Sequence, residues 1–275
     1  MRFTLKQKLW FLFVRLISWV APKRGAEWAA EIFETPVYYE RPESEKSWYE
    51  SAKKSLIGDG IPAYEWGPSE GPLVVLLHGW SGRGTQMGFF AGPLVEKGFR
   101  VVALDGPAHG EKFGGRTNVG EYARYLLRAQ KDLGPFRAVI AHSLGAGCAV
   151  IASSWGLKVE KLVLIAGPSR YELVVQNFLN MINISPKAQR IFFQELEKRV
   201  GVSASELNVG LMGRELGIPA LIVHDVHDKA VRFKAALEIK QNWPEIEIFE
   251  TKGLGHRRVL RDPEVLKIVL QFVQD

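Results

Sequence analysis

The stretch AVIAHSLGAG, residues 138 to 147, sets one serine, Ser143, between an apolar run and two glycines. Small residues around a serine suit a sharp strand-to-helix turn that exposes the hydroxyl, a nucleophile elbow. The plainer use of a serine there is to cap the helix. A hydroxyl is a weak nucleophile at neutral pH. A histidine must take its proton, and a carboxylate must hold that histidine in one tautomer. Both types lie downstream, in HDVHD at 224–228 and GLGH at 253–256. Asp228 sits deeper in its loop than Asp225, with more reach toward a histidine on the next loop. Ser143, Asp228 and His256 are therefore the candidate nucleophile, acid and base, and Asp225 is the alternative acid, suited equally to capping a loop N–H.

Two more loops carry histidines, HGWSG at 78–82 and DGPAHG at 105–110. All six histidines (His78, His109, His142, His224, His227, His256) fall in such segments, each directly after an apolar run or a strand-like stretch. His109 is read as organising its own loop. HDVHD also offers metal ligands, but histidines at strand ends can equally orient loops, so neither a metal nor an organic cofactor is expected. No G-x-G-x-x-G follows the first strands and no G-K-[ST] occurs, which argues against dinucleotide and P-loop chemistry.

The elements that must position these residues follow from periodicity. Apolar runs at 73–77, 101–104, 138–141, 162–166 and 220–223 read as buried parallel strands. Residues 245–250 alternate and read as a half-exposed last strand, and 52–57 with 61–66 as an edge hairpin. Helical patterns lie near 85–97, 119–132, 144–155 and 262–273. Strand–helix alternation of this kind means an α/β fold with helices on both faces of a mostly parallel sheet. The interval 168–217 interrupts it with three helical patterns: 171–182, a helix capped by Ser185 with Pro186 at its first position, and a capping box of Ser203 and Glu206. These are read as a helical lid. Phe178, Leu179, Phe192 and Phe193 are expected to line an acyl pocket beneath it.

Composition narrows the class. At 47% hydrophobic and 24% charged residues, the chain is globular rather than disordered. The net charge of +6 is spread among acidic residues, and no nucleic-acid motif is present, so nucleic acid is not an expected partner. The single cysteine, Cys148, excludes an internal disulfide and fits core packing; a cytoplasmic protein is expected.

From about residue 60 onward the chain resembles the α/β-hydrolases of the serine esterase and lipase type. That resemblance implies Ser143 as nucleophile, Asp228 as acid, His256 as base, and the backbone N–H groups of Trp80 and Leu144 as the oxyanion hole. It also implies hydrolysis of a carboxylic ester through an acyl-enzyme, acting on a small-molecule ester or acyl substrate. The family elbow is usually G-x-S-x-G, and here Ala141 takes the first glycine's place. Thioester cleavage, acyl transfer or lipid hydrolysis on the same triad is the alternative, and a non-catalytic binding protein the more distant one. Arg83 and Arg116 are candidate contacts for an anionic substrate group.

Residues 1–35 read as a helical extension ahead of a hydrolase domain at 36–275. The apolar run from Leu9 to Ala21 is interrupted by Arg15, is short for a bilayer span, and lacks a small-x-small cleavage site. Two readings stand: the helix docks on the protein's own core, or residues 1–21 lie on a membrane surface with basic residues near headgroups.

Overall fold

Val74, Val75, Leu76 and Leu77 are inaccessible to solvent, as are Val139 and Ile140, because their strands lie inside a sheet covered on both faces. The computed structural model describes residues 5–275. Its strands are β1 (Lys53–Ile57), β2 (Ile61–Trp66), β3 (Leu73–Leu77), β4 (Arg100–Leu104), β5 (Phe136–His142), β6 (Val159–Ile165), β7 (Ala220–Asp225) and β8 (Glu247–Thr251). They pair in the order β1-β2-β4-β3-β5-β6-β7-β8. The edge hairpin β1–β2 is antiparallel, β2 runs antiparallel to β4, and the remaining pairs are parallel. Alternate residues serve opposite faces. Val75, Leu77, Val139 and Ala141 join one core cluster, while Val74, Leu76, Ala138 and Ile140 join the other. Burying each such Val or Leu contributes about 1.5–3 kcal/mol.

Helices α1 (Leu5–Val20), α2 (Pro22–Glu34) and α3 (Glu43–Ser51) precede the sheet. α4 (Ala91–Glu96), α5 (Val119–Leu133) and α6 (Leu144–Ser154) follow β3, β4 and β5. Between β6 and β7 lie α7 (Tyr171–Ile182), α8 (Pro186–Val200) and α9 (Val209–Arg214). α10 (Lys234–Asn242) follows β7, and α11 (Gly255–Arg258) and α12 (Pro263–Gln274) follow β8. One face of the sheet carries α5, α6 and α10, the other α4 and α12.

Two local expectations differ from the structure. The helix expected at 85–97 is a 3₁₀ segment, Gly84–Phe90, followed by the short α4. Pro93 has no N–H for residue 89, so one continuous α-helix cannot run through that point. The capping box at Ser203 does not open a helix. Glu206 accepts from the Ser203 N–H at 3.2 Å, but Leu207 and Val209 are committed to Tyr171 and Ser169 through backbone bonds of 3.0 and 2.8 Å. The helix starts instead as α9, capped by Asn208, whose Oδ1 accepts from Leu211 N–H at 3.1 Å.

The extension is part of the packed body. Ala26, Ala29 and Ala30 of α2 and Val14 of α1 belong to the larger core cluster. The Ser185 N–H donates to Ser18 Oγ at 2.8 Å, and Ser185 Oγ donates to the Ser18 carbonyl at 2.5 Å. Gly25 lies against the α1 backbone, where a Cβ would come within 2.5 Å of Ser18 Cα. At the end of α2 the buried Glu34 pairs with Arg116 and, at 2.9 Å, with Arg199 of α8. Phe33 meets the rings of Phe178 and Phe192 at centroid distances of 4.9 and 5.7 Å. Leu179 and Phe192, expected to line a pocket, are therefore fully buried between α2 and the inserted helices, and Phe178 packs with them.

Candidate active site

Ser143 sits between the last residue of β5 and the first of α6, with φ 54° and ψ −123°. A non-glycine residue there costs about 1–3 kcal/mol, held in place by its surroundings. Those surroundings are tight. A Cβ on Gly145 would fall 2.5 Å from the His78 carbonyl, and one on Gly79 would fall 2.7 Å from Ser143 Cβ. The Ser143 N–H is held by the Ile165 carbonyl at 2.8 Å. Ala141, in the place of the usual glycine, is a buried strand residue aligned with Leu77 and Leu164. Of the five described non-glycine residues with positive φ, four (Ser81, Ala108, Ser143, Ala166) lie at this end of the sheet. Strain is concentrated around the serine.

The structure brings the three sequence-derived candidates together. Ser143 Oγ lies 3.0 Å from His256 Nε2, and His256 Nδ1 lies 2.7 Å from Asp228 Oδ2. Asp228 Oδ1 accepts from the N–H groups of Ala230 and Val231 at 2.7 and 3.0 Å. Burial alone would raise the Asp228 pKa, but the His256 contact and these N–H groups outweigh it and hold the carboxylate below its ordinary value. With Asp228 ionised, Nδ1 carries the proton and Nε2 is left as the acceptor facing the hydroxyl. Asp225 is used otherwise. It accepts from Thr251 Oγ1 and Leu254 N–H, both at 2.9 Å, and from His227 N–H at 3.0 Å, which ties β7 to the loop carrying His256.

Leu144 is the first residue of α6, so its N–H has no acceptor one turn back. Trp80 lies in a turn closed by Gly82 N–H to Gly79 O at 3.0 Å, directly beside Ser143. Among the described residues neither N–H donates to a protein acceptor. Both N–H groups are thus left without a protein acceptor in the turns that flank Ser143.

Of the other five histidines, His78, His109, His142 and His224 hold loops through their rings, and His227 is exposed. His78 Nδ1 donates to the Gly79 carbonyl at 2.7 Å, and its Nε2 accepts from Gly106 N–H at 2.8 Å. His109 donates to the Pro107 carbonyl at 2.7 Å and accepts from Ser81 N–H at 3.0 Å. His142 Nε2 donates to the His256 carbonyl at 2.8 Å, and His224 Nε2 to that of Val231 at 2.9 Å. Among the described residues no three His, Cys, Asp or Glu side chains group to hold a metal ion. Asp105, fully buried, accepts from Gly84 N–H, Glu111 N–H and Tyr64 Oη at 2.7, 2.8 and 2.9 Å and so fixes the turn after β3. Arg83 faces Glu45 and the Glu40 carbonyl, and Arg116 faces Glu34, so both are taken up by the fold.

Burial lowers the pKa of His78 to about 4 and those of His109 and His142 to about 3, so all three are neutral at pH 7. In the unfolded chain each titrates near about 6.5. The unfolded state thus binds more protons below pH ~6.5, and the stability held by these neutral rings is lost as pH falls toward ~4. Asp105, whose pKa burial raises, opposes this. Unfolding free energy from denaturant titration is expected to drop by about 2–4 kcal/mol between pH ~7 and ~5.5. His142→Asn should remove about a third of that dependence; a flat profile in the parent would contradict the neutral assignment.

A cavity of about 420 Å³ adjoins the Ser81–Gly82 turn and His109. Tyr38, Tyr39, Arg41, Glu111 and Phe113 also line it, none of which sequence reading singled out, and neither Ser143 nor His256 borders it. The clue available was an aromatic pair close to an arginine in a segment without helical or strand pattern.

A mostly parallel sheet with a strained serine at a strand–helix junction and loops converging on it defines an α/β-hydrolase fold. The sequence matches the model of the alpha/beta hydrolase family over residues 74–267, and the chain belongs to that family. It is 32% identical over 118 residues to a serine hydrolase-like protein of Dictyostelium discoideum, covering 40% of this chain and 33% of that protein. It is 31% identical over 85 residues to the esterase YjfP of Escherichia coli K12, covering 30% of this chain and 34% of the esterase. The matches thus span about a third of each relative's length. Among solved structures, the thioesterase domain from the curacin biosynthetic pathway superposes with a TM-score of 0.60 at 17% identity, covering 82% of this chain and 100% of that one. A bromoperoxidase from Bacillus anthracis gives 0.62 at 18% identity, covering 81% and 100%. At such identities these likenesses establish the fold alone.

Proposed function

We propose that the protein hydrolyses a carboxylic ester through an acyl-enzyme formed on Ser143. The observation that carries this reading is the hydrogen-bonded line from Ser143 Oγ through His256 to Asp228, at 3.0 and 2.7 Å. Ser143 Oγ attacks the ester carbonyl carbon while its proton passes to His256 Nε2. The N–H groups of Leu144 and Trp80 receive the oxyanion. Collapse of the tetrahedral intermediate expels the alcohol, which takes the proton from His256. Water, deprotonated by the same nitrogen, then releases the acid and restores Ser143. Asp228 holds the imidazole in the required tautomer and stabilises its cation. The likeness to an esterase over part of the chain supports this class.

The test is treatment with a fluorophosphonate followed by peptide mapping, together with a chain-length series of aryl esters. A single adduct on Ser143 and measurable ester turnover are expected. An adduct on Ser81 or Ser154 instead, or none with an intact fold, would sink the assignment.

A further inference from the structure

Helix α1 has a second apolar face, opposite the one by which it docks. Its buried residues are Val14 and Ser18, with Gln7 and Phe11 half-buried on the same side. At 3.6 residues per turn, Leu5, Leu9, Leu12, Leu16 and Trp19 fall in one line on the far side. These five and Val20 are between 49% and 81% exposed, an unusual row of large apolar side chains for a surface helix. Lys8 and Arg15 border this line on one edge and Lys6 on the other. Among the described residues none of the three forms an ion pair. In the sequence, residues 1–26 contain Arg2, Lys6, Lys8, Arg15, Lys23 and Arg24 and no acidic residue.

We infer that this outer face of α1 lies on an anionic lipid surface, the leucines and Trp19 entering the acyl boundary and the basic residues meeting headgroups. A helix apolar on one side with Lys and Arg along its edges has the form of an in-plane interfacial helix. No described helix is long and apolar enough to cross a membrane. The row's spacing also fits a helix–helix seam, but a second copy would bring Lys8 and Arg15 against basic neighbours without an acidic partner in either helix. Charge therefore selects the bilayer. Because α1 is tied through Ser18 to Ser185 at the head of α8, the surface would hold the body by the side carrying the inserted helices. This inference is independent of the chemistry proposed for Ser143.

The full chain is mixed with vesicles of phosphatidylcholine alone or with about 30 mol % phosphatidylglycerol, and binding is read by co-sedimentation. Each basic residue near an anionic surface contributes appreciably, so at least about tenfold preference for the anionic vesicles is expected, weakened by added salt. Leu9→Glu/Leu16→Glu should abolish binding with unchanged circular dichroism, since both side chains are more than half exposed. Lys8→Gln/Arg15→Gln should keep the apolar face and lose most of the anionic preference. Equal binding to both vesicle types, no binding, or undiminished binding by either variant would overturn the inference. So would a dimer in light scattering that Leu9→Glu/Leu16→Glu dissolves while the parent ignores vesicles.

Discussion

Ser143→Ala is expected to lower ester turnover by on the order of 10⁶-fold and to abolish fluorophosphonate labelling, with the fold intact. The size follows from the proposed mechanism. Without Oγ no acyl-enzyme forms, and His256 has no proton to take. What remains is the weak rate enhancement of two oxyanion donors and a binding surface. Stability should change little, because Ser143 caps no N–H with its side chain and alanine retains the Cβ that already fits against Gly79. Stopped assays with active-site titration of the parent would measure the loss. A residual rate within about a hundredfold of the parent would mean that another nucleophile operates.

Asp228→Asn is the second large effect. The carboxylate now receives the His256 Nδ1 proton at 2.7 Å. An amide there can present its NH₂ to Nδ1 and favour the other tautomer, with the proton on Nε2 facing Ser143. Loss of the orienting carboxylate with its shape preserved costs about 10⁴ in turnover in a well-studied serine protease, and a fall of that order is expected here with KM little altered. Asp225→Asn provides the contrast. Asp225 touches no histidine ring and binds Thr251, Leu254 and the His227 N–H, so its loss should be read mainly as stability, about 1–3 kcal/mol, with turnover within about tenfold. Reversed outcomes would make Asp225 the working acid.

The sheet was legible because parallel strands with two covered faces must be continuously apolar, and LVVLL, AVIA and ALIV are. The site was legible for a related reason: reactive side chains stand in short loops directly after those runs. Ser143, Asp228 and His256 needed only chain order and reach to be picked out, although the choice between Asp225 and Asp228 rests on where two loops meet. What no local pattern could reveal was the partner of each apolar face outside the sheet. Phe178 and Phe192 carry the same signature whether they line a pocket or pack on Phe33. The ion pairs of Glu34 join positions 82 and 165 residues away. The capping box at Ser203 was chemically sound, but tertiary backbone pairing of Leu207 and Val209 displaced the helix start.

The seam between Ser18 and Ser185 has a consequence for how the protein is made. Its two halves are 167 residues apart in the chain. At about 5–20 residues per second, a ribosome needs roughly 8–33 s to travel from one to the other. During that interval α1 and α2 have been synthesised, and α2 can lie against Ser18 through Gly25, but the part of the surface supplied by α7 and α8 does not exist. The outer apolar side of α1 is uncovered and its inner side only partly covered, and closing so long a loop comes late in folding. Nascent chains therefore carry, for roughly 8–33 s, a basic helix whose outer side is free to engage chaperones or lipid before the body it belongs to has formed.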